Sequence, residues 1–97
     1  QCGLVRTAAD IPRLRTEGRL VALLVMENSD GLDGSLNILY AFHQLGLRSI
    51  TLTHNPSSLA AAGNAETECG SGLTRFGRRL VREMNRLGLL VDVSHIA

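Results

Sequence analysis

The chain has 97 residues, 44% of them hydrophobic and 20% charged, with a formal net charge of +1. That length accommodates one domain, and the apolar share excludes a disordered tail. So small a net charge gives no reason to expect a polyanionic partner.

All ten basic residues are arginine, which reads as a codon-composition habit of the source and not as phosphate recognition. The aromatic content of 3% is too low for stacking on nucleic-acid bases. The longest apolar run, Leu20–Met26, falls far short of the ~20 residues of a membrane span. With neither a starting Met nor a signal-peptide pattern the chain gives no address, and a cytoplasmic location is the default expectation. Cys2 and Cys69 are too few and too far apart for a disulfide framework or a zinc knuckle, so both are expected as free thiols.

Thr7-Ala8-Ala9-Asp10-Ile11-Pro12 reads as a helix start with Asp10 as N-cap, the helix running to Glu17 and passing through Gly18 into a strand. Leu20–Met26 is continuously apolar, as expected of a strand covered by helices on both faces. A polar loop, Glu27-Asn28-Ser29-Asp30-Gly31, follows. Leu36, Leu39, Tyr40, Phe42 and Leu45 then recur at helical spacing between Asp33, the expected N-cap, and Gly46, the expected stop. The β-branched run Arg48–Thr53 predicts a second strand.

The segment from His54 to Gly72 reads as a long loop, with a helical turn expected at Leu59–Ala62; loops of this length usually carry function. Thr74 should cap a helix with Phe76, Leu80, Val81, Met84 and Leu87 on one face and Arg75, Arg78, Arg79, Arg82 and Arg86 on the other, ended by Gly88. Leu89–Val93 predicts a third strand. This alternation implies an α/β fold of about three adjacent parallel strands in chain order, a slice of a larger barrel or sheet.

The chemistry is positional. Each predicted strand is followed by a residue able to bind metal or move protons: Glu27, His54 and His95. In parallel α/β folds the strand C-termini form one rim where sites are built, so these three are expected to share a cavity. Singly, each also fits a polar loop residue. His43, beside Phe42 in a helix, reads as structural or exposed. Gly70-Ser71-Gly72 has no following Lys and lacks a phosphate-loop fingerprint. The arginine face reads as solvated, and Cys69 has no His at a motif spacing.

Met26-Glu27, Gly34-Ser35-Leu36, Leu45-Gly46-Leu47-Arg48, Thr51-Leu52-Thr53-His54-Asn55, Gly72–Arg78 and Arg82–His95 come in an order and spacing that resemble the central part of the membrane dipeptidase (renal dipeptidase) family of zinc peptidases. The resemblance spans nearly the whole chain. It implies an internal fragment, residues 1–97, of a single (β/α)8 barrel domain carrying two zinc ions at its C-terminal rim, in an enzyme that cleaves dipeptides with a metal-activated water.

By the same resemblance, Glu27 bridges the two ions, His95 ligates one, and His54 is the catalytic and substrate-binding histidine that stabilises the tetrahedral intermediate. Asp92, three residues before His95, suggests itself as an orienter of that imidazole, although strand alternation would put the two on opposite faces. A homodimer of the parent protein is compatible with this picture. The chain departs from the family where Glu27-Asn28-Ser29-Asp30 replaces the common Glu-Gly-Gly-His, and where the loop after His54 lacks a cysteine found in some members. The remaining ligands, an early His-x-Asp pair and a later histidine, are absent, so the isolated fragment is expected to be inactive. The rival readings are a non-catalytic α/β binding or regulatory module and a pseudoenzyme of the same fold.

Overall fold

In the computed structural model, short apolar segments pair in parallel wherever strands meet. The structure describes residues 1–97, apart from the side chain of Cys69, so the expected thiol there lies outside the described residues. Cys2 is free and exposed. In chain order the elements are β1 (Cys2–Leu4), α1 (Asp10–Thr16), β2 (Leu20–Ala22), β3 (Leu24–Glu27), α2 (Leu36–Leu45), β4 (Leu47–Thr51), α3 (Arg75–Leu87) and β5 (Leu90–Asp92). β1 pairs with β2, while β3, β4 and β5 form a sheet in that order, all parallel.

The strands depart from the sequence reading near the N-terminus. A strand precedes α1: Cys2–Leu4 is too short to show periodicity, yet its pairing with Leu20–Ala22 is complete and continues as the Val5 amide donates to the Ala22 carbonyl. The expected strand Leu20–Met26 is also broken at Leu23, its first half serving β1 and its second half β4.

Alternation sorts the three-stranded sheet into two faces. Met26, Ile50 and Val91, mutually in register, pack into the cluster that Leu39, Leu80 and Met84 supply from α2 and α3. The opposite face carries Val25 and Leu90, 58% and 61% exposed, so the helices lie on one side of the sheet, as expected of a barrel slice, and not on both faces as the apolar run Leu20–Met26 taken alone suggests. Glu27, Thr51 and Asp92 form one row across that open face.

Thr74 caps α3 as expected, its hydroxyl accepting from the Gly77 amide, and Gly46 and Gly88 end α2 and α3 at φ 114° and 74°. Asp10 is not an N-cap. It lies inside α1 and reaches back to accept from the Arg6 and Thr7 amides, the reciprocal half of a capping box with Thr7. Asp33 does not cap α2 either: it closes a 3₁₀ turn over Ser29–Leu32 with left-handed backbone, and Ser35 holds the N-cap position.

The turn expected at Leu59–Ala62 is replaced by a bend at Leu59 and Ala60 and an antiparallel bridge from Ala61 to Leu73, with a 3₁₀ stretch later, at Asn64–Cys69. The reason is the claim that α3 makes on this segment. The Thr74 hydroxyl donates to the Leu59 carbonyl and the Thr74 amide to the Ala60 carbonyl. A Cβ at Gly77 would collide with that same Ala60 carbonyl, so the close approach needs glycine there.

Candidate metal centre

Glu27 is the last residue of β3, while His54 and His95 lie just beyond β4 and β5. Parallel pairing puts all three strand ends on one rim. The loops above that rim are tied to each other by their backbones. The Leu52 carbonyl accepts from the hydroxyls of Ser29 (2.7 Å) and Ser58 (2.8 Å), and Ser29 is fully buried directly after the Glu27-Asn28 step. The Thr53 hydroxyl, also fully buried, donates to the His95 carbonyl at 2.8 Å, and the Asn64 amide donates to the same oxygen at 2.8 Å. His54 therefore follows two residues pinned to the loops that carry Glu27 and His95.

The resulting cluster is tight. One donor atom from each of Glu27, His54 and His95 lies within 4.8 Å of the others. Glu27 Oε1 is 3.6 Å from His54 Nε2 and 3.9 Å from His95 Nε2. The two imidazole centroids are 4.7 Å apart with planes tilted by 39°. Among the described residues, no basic side chain other than these two rings lies within ion-pair distance of Glu27, and its carboxylate remains largely open to solvent. A carboxylate and two imidazoles converging without an intervening guanidinium is a nitrogen–oxygen donor set suited to zinc and similar transition metals.

Backbone strain concentrates here. His95 has φ 63°, and Asn28, next to Glu27, has φ 73° and ψ 118°, a region that glycine adopts readily. The glycine that the family commonly has after its glutamate is thereby understood. In this chain the Asn28 carboxamide instead braces the turn, accepting from the Asp30 amide at 3.0 Å.

Asp92 does not orient His95. It accepts from the Ser94 amide and from the Thr51 hydroxyl, and the Ser94 hydroxyl, followed by these two bonds, holds its carboxyl below the usual carboxylate range. The alternation argument also lapses, because β5 ends at Asp92 and His95 sits on a left-handed turn. The side chain that does meet the ring is Asn55, whose Oδ1 is 3.2 Å from His95 Nδ1. Sequence spacing gave no sign of that contact, which joins positions in two different rim loops.

The remaining candidates have structural roles. His43 is half-buried in α2, and its carbonyl accepts from Arg48. Gly70 and Gly72 occupy left-handed turns leading to the Leu73 bridge. Arg75, Arg78, Arg79 and Arg82 are exposed, while Arg86 pairs with Glu83, which also accepts from the Tyr40 hydroxyl.

Parallel strands with a carboxylate–imidazole cluster on their C-terminal rim define the class: an α/β fold with a candidate metal site at its strand ends, the place where (β/α)8 barrels build their sites. The family model for membrane dipeptidase (peptidase family M19) matches residues 1–97. The chain belongs to that family. It is 36% identical over 95 residues to dipeptidase tcpJ of Claviceps purpurea, covering 97% of this chain and 22% of that protein. Dipeptidase 3 of Rattus norvegicus is 38% identical over 94 residues, covering 92% of this chain and 19% of the relative.

Among solved structures, a metallopeptidase from Rhodobacter sphaeroides, liganded with a phosphinate mimic of the dipeptide L-Ala-D-Ala, superposes with a TM-score of 0.87 at 33% identity. That match covers 97% of this chain and 28% of the other. A metallopeptidase described as dipeptidase AC of family M19 superposes at 0.85 with 34% identity, over 95% of this chain and 29% of its own. The chain thus spans under a third of the relatives it matches, and its fold is α/β, a partial (β/α)8 barrel.

Proposed function

We propose that the protein carrying this chain is a zinc-dependent dipeptidase, with residues 1–97 forming the central part of a single barrel domain. The observation that carries the reading is the convergence of Glu27, His54 and His95 within 4.8 Å on the C-terminal rim. The dipeptide mimic held by the Rhodobacter sphaeroides relative supports the substrate class. Bound zinc, two ions in this reading, would supply Lewis acidity toward the peptide carbonyl and bring the pKa of a water to ~7.

The chain's own groups divide the remaining work. Glu27 would hold metal through its carboxylate, and His95 through an imidazole nitrogen. His54 is kept for substrate: its ring N–H would stabilise the negative charge that develops on the carbonyl oxygen. The 97 residues alone hold two of these ligands, fewer than the three or four a stable site requires, so they bind zinc weakly and are catalytically silent.

The test is dipeptide hydrolysis by the zinc-loaded intact protein, with metal content measured in parallel. Glu27→Gln should nearly abolish turnover together with loss of metal. His54→Ala should lower kcat by ~10²–10³ with metal content unchanged. Equal metal loss in both variants would reject this division of labour. Full activity in Glu27→Gln would reject the metal site built on Glu27, and a zinc-loaded wild type that hydrolyses no dipeptide would leave a non-catalytic module.

A further inference from the structure

An imidazole can offer a lone pair from only one nitrogen at a time, and the hydrogen bond made by the other decides which. His95 shows both ends of that choice. Its Nε2 lies 3.9 Å from Glu27 Oε1, and its Nδ1 lies 3.2 Å from Asn55 Oδ1. An amide oxygen accepts and cannot donate, so this contact requires the proton on Nδ1. Among the described residues, no other side chain meets either ring nitrogen of His95 within hydrogen-bond distance.

The backbone that carries the Asn55 side chain is held in place independently of the ring. Pro56 confines the backbone of Asn55 to extended conformations. The Asn55 carbonyl accepts from the Ala65 amide at 2.9 Å. Gly63 lies so close that a Cβ there would collide with the Asn55 and Pro56 carbonyls. Across the rim, the Thr53 hydroxyl and the Asn64 amide fix the His95 carbonyl. Both partners of the contact therefore stand on anchored backbone.

We propose that Asn55 is a positioning residue that fixes His95 as its Nδ1–H tautomer and leaves the Nε2 lone pair facing Glu27. One dipeptide step thus serves two purposes: His54 joins the cluster, and Asn55 prepares the imidazole opposite. The purpose rests on the metal reading above, but the tautomer is a property of the metal-free protein.

The experiment uses the intact protein, stripped of metal and labelled with ¹⁵N in histidine, at a pH about two units above the ordinary imidazole value of ~6.5. Long-range proton–nitrogen correlation reads the tautomer of each ring. The wild type should show His95 as Nδ1–H, Asn55→Ala should move it toward Nε2–H, and Asn55→Asp, which keeps an acceptor oxygen, should restore Nδ1–H. Zinc affinity, read by competition with a chromophoric chelator, should fall ~10–100-fold in Asn55→Ala and recover in Asn55→Asp. A wild-type His95 found as Nε2–H, or a tautomer unmoved by Asn55→Ala, would overturn the proposal. Wild-type protein that shows Nδ1–H yet takes up no zinc would support the Asn55 assignment and reject the peptidase reading.

Discussion

The N-terminal arm, β1, α1 and β2, buries Val5 and Leu14, and neither belongs to the cluster that joins Leu32, Leu39, Ile50, Leu80 and Met84 in the rest of the chain. What organises the arm is mostly polar. Arg13 bridges Asp10 and Glu17, Arg19 reaches Glu17 and the Cys2 carbonyl, and Asp10 accepts from two backbone amides. Its attachment to the sheet uses the strand continuation at Leu23 and two arginine bonds, Arg48 to the Arg6 carbonyl and Arg6 to the Gln44 carbonyl. Between the two parts runs a cavity of about 260 Å³ lined by Val5, Ile11, Leu23 and Leu90 among others. Parallel pairing is common to both regions, yet one rests on an extended apolar cluster and the other on Val5 and Leu14. Exposed ion pairs contribute little each, so the arm should open on its own while the site-bearing sheet stays closed.

The largest effect that would test this contrast is Leu80→Ala. Leu80 is fully buried where α3 meets the sheet, and its truncation should cost ~2–5 kcal/mol in urea unfolding. Zinc uptake should fail at the same denaturant concentration, because the rim loops stand on that cluster. Leu14→Ala removes an equally buried side chain but should act locally. Amide exchange should accelerate within residues 1–22 and stay slow in β3, β4 and β5; a global shift as large as that of Leu80→Ala would dissolve the distinction.

Thr74→Ala comes next. It removes the cap of α3 and the tie to the Leu59 carbonyl, for ~1 kcal/mol in the thermal or urea transition. Asp10→Asn should be smallest, and it depends on pH. The Arg13 guanidinium, followed by the Arg6 and Thr7 amides, holds the Asp10 carboxyl well below the usual range. A depressed carboxylate stabilises the fold fully above its unfolded value of ~3.9 and loses that contribution as the pH falls through the folded value. The difference in arm protection between wild type and Asp10→Asn should therefore be steady near neutrality and vanish in strong acid.

The rim was legible in the sequence because each strand announces its own end. An apolar run that stops at Glu27, or a β-branched run that stops before His54, marks the strand's C-terminus without any long-range information, and parallel topology does the rest. β1 was not legible, since three residues carry no period, and its identity depends on a partner at Leu20–Ala22. Acidic residues near helix starts were read as caps, but Asp10 reaches backward and Asp33 turns left-handed. Those outcomes depend on backbone angles that composition does not encode. Asn55 was invisible for a related reason: its partner is 40 positions away, and nothing local distinguishes it from any loop asparagine.

Anyone selecting this protein for heat resistance would be led to its rim. A residue with a Cβ in left-handed backbone gives up ~1–2 kcal/mol that glycine would recover in part, and His95 and Asn28 both stand there. At Asn28 the change to glycine would cost only the bond to the Asp30 amide, so durability can rise with the carboxylate–imidazole cluster untouched. At His95 the same relief deletes the imidazole. A screen that scores survival alone should enrich glycine at both positions, and one that scores turnover should accept it at Asn28 and refuse it at His95.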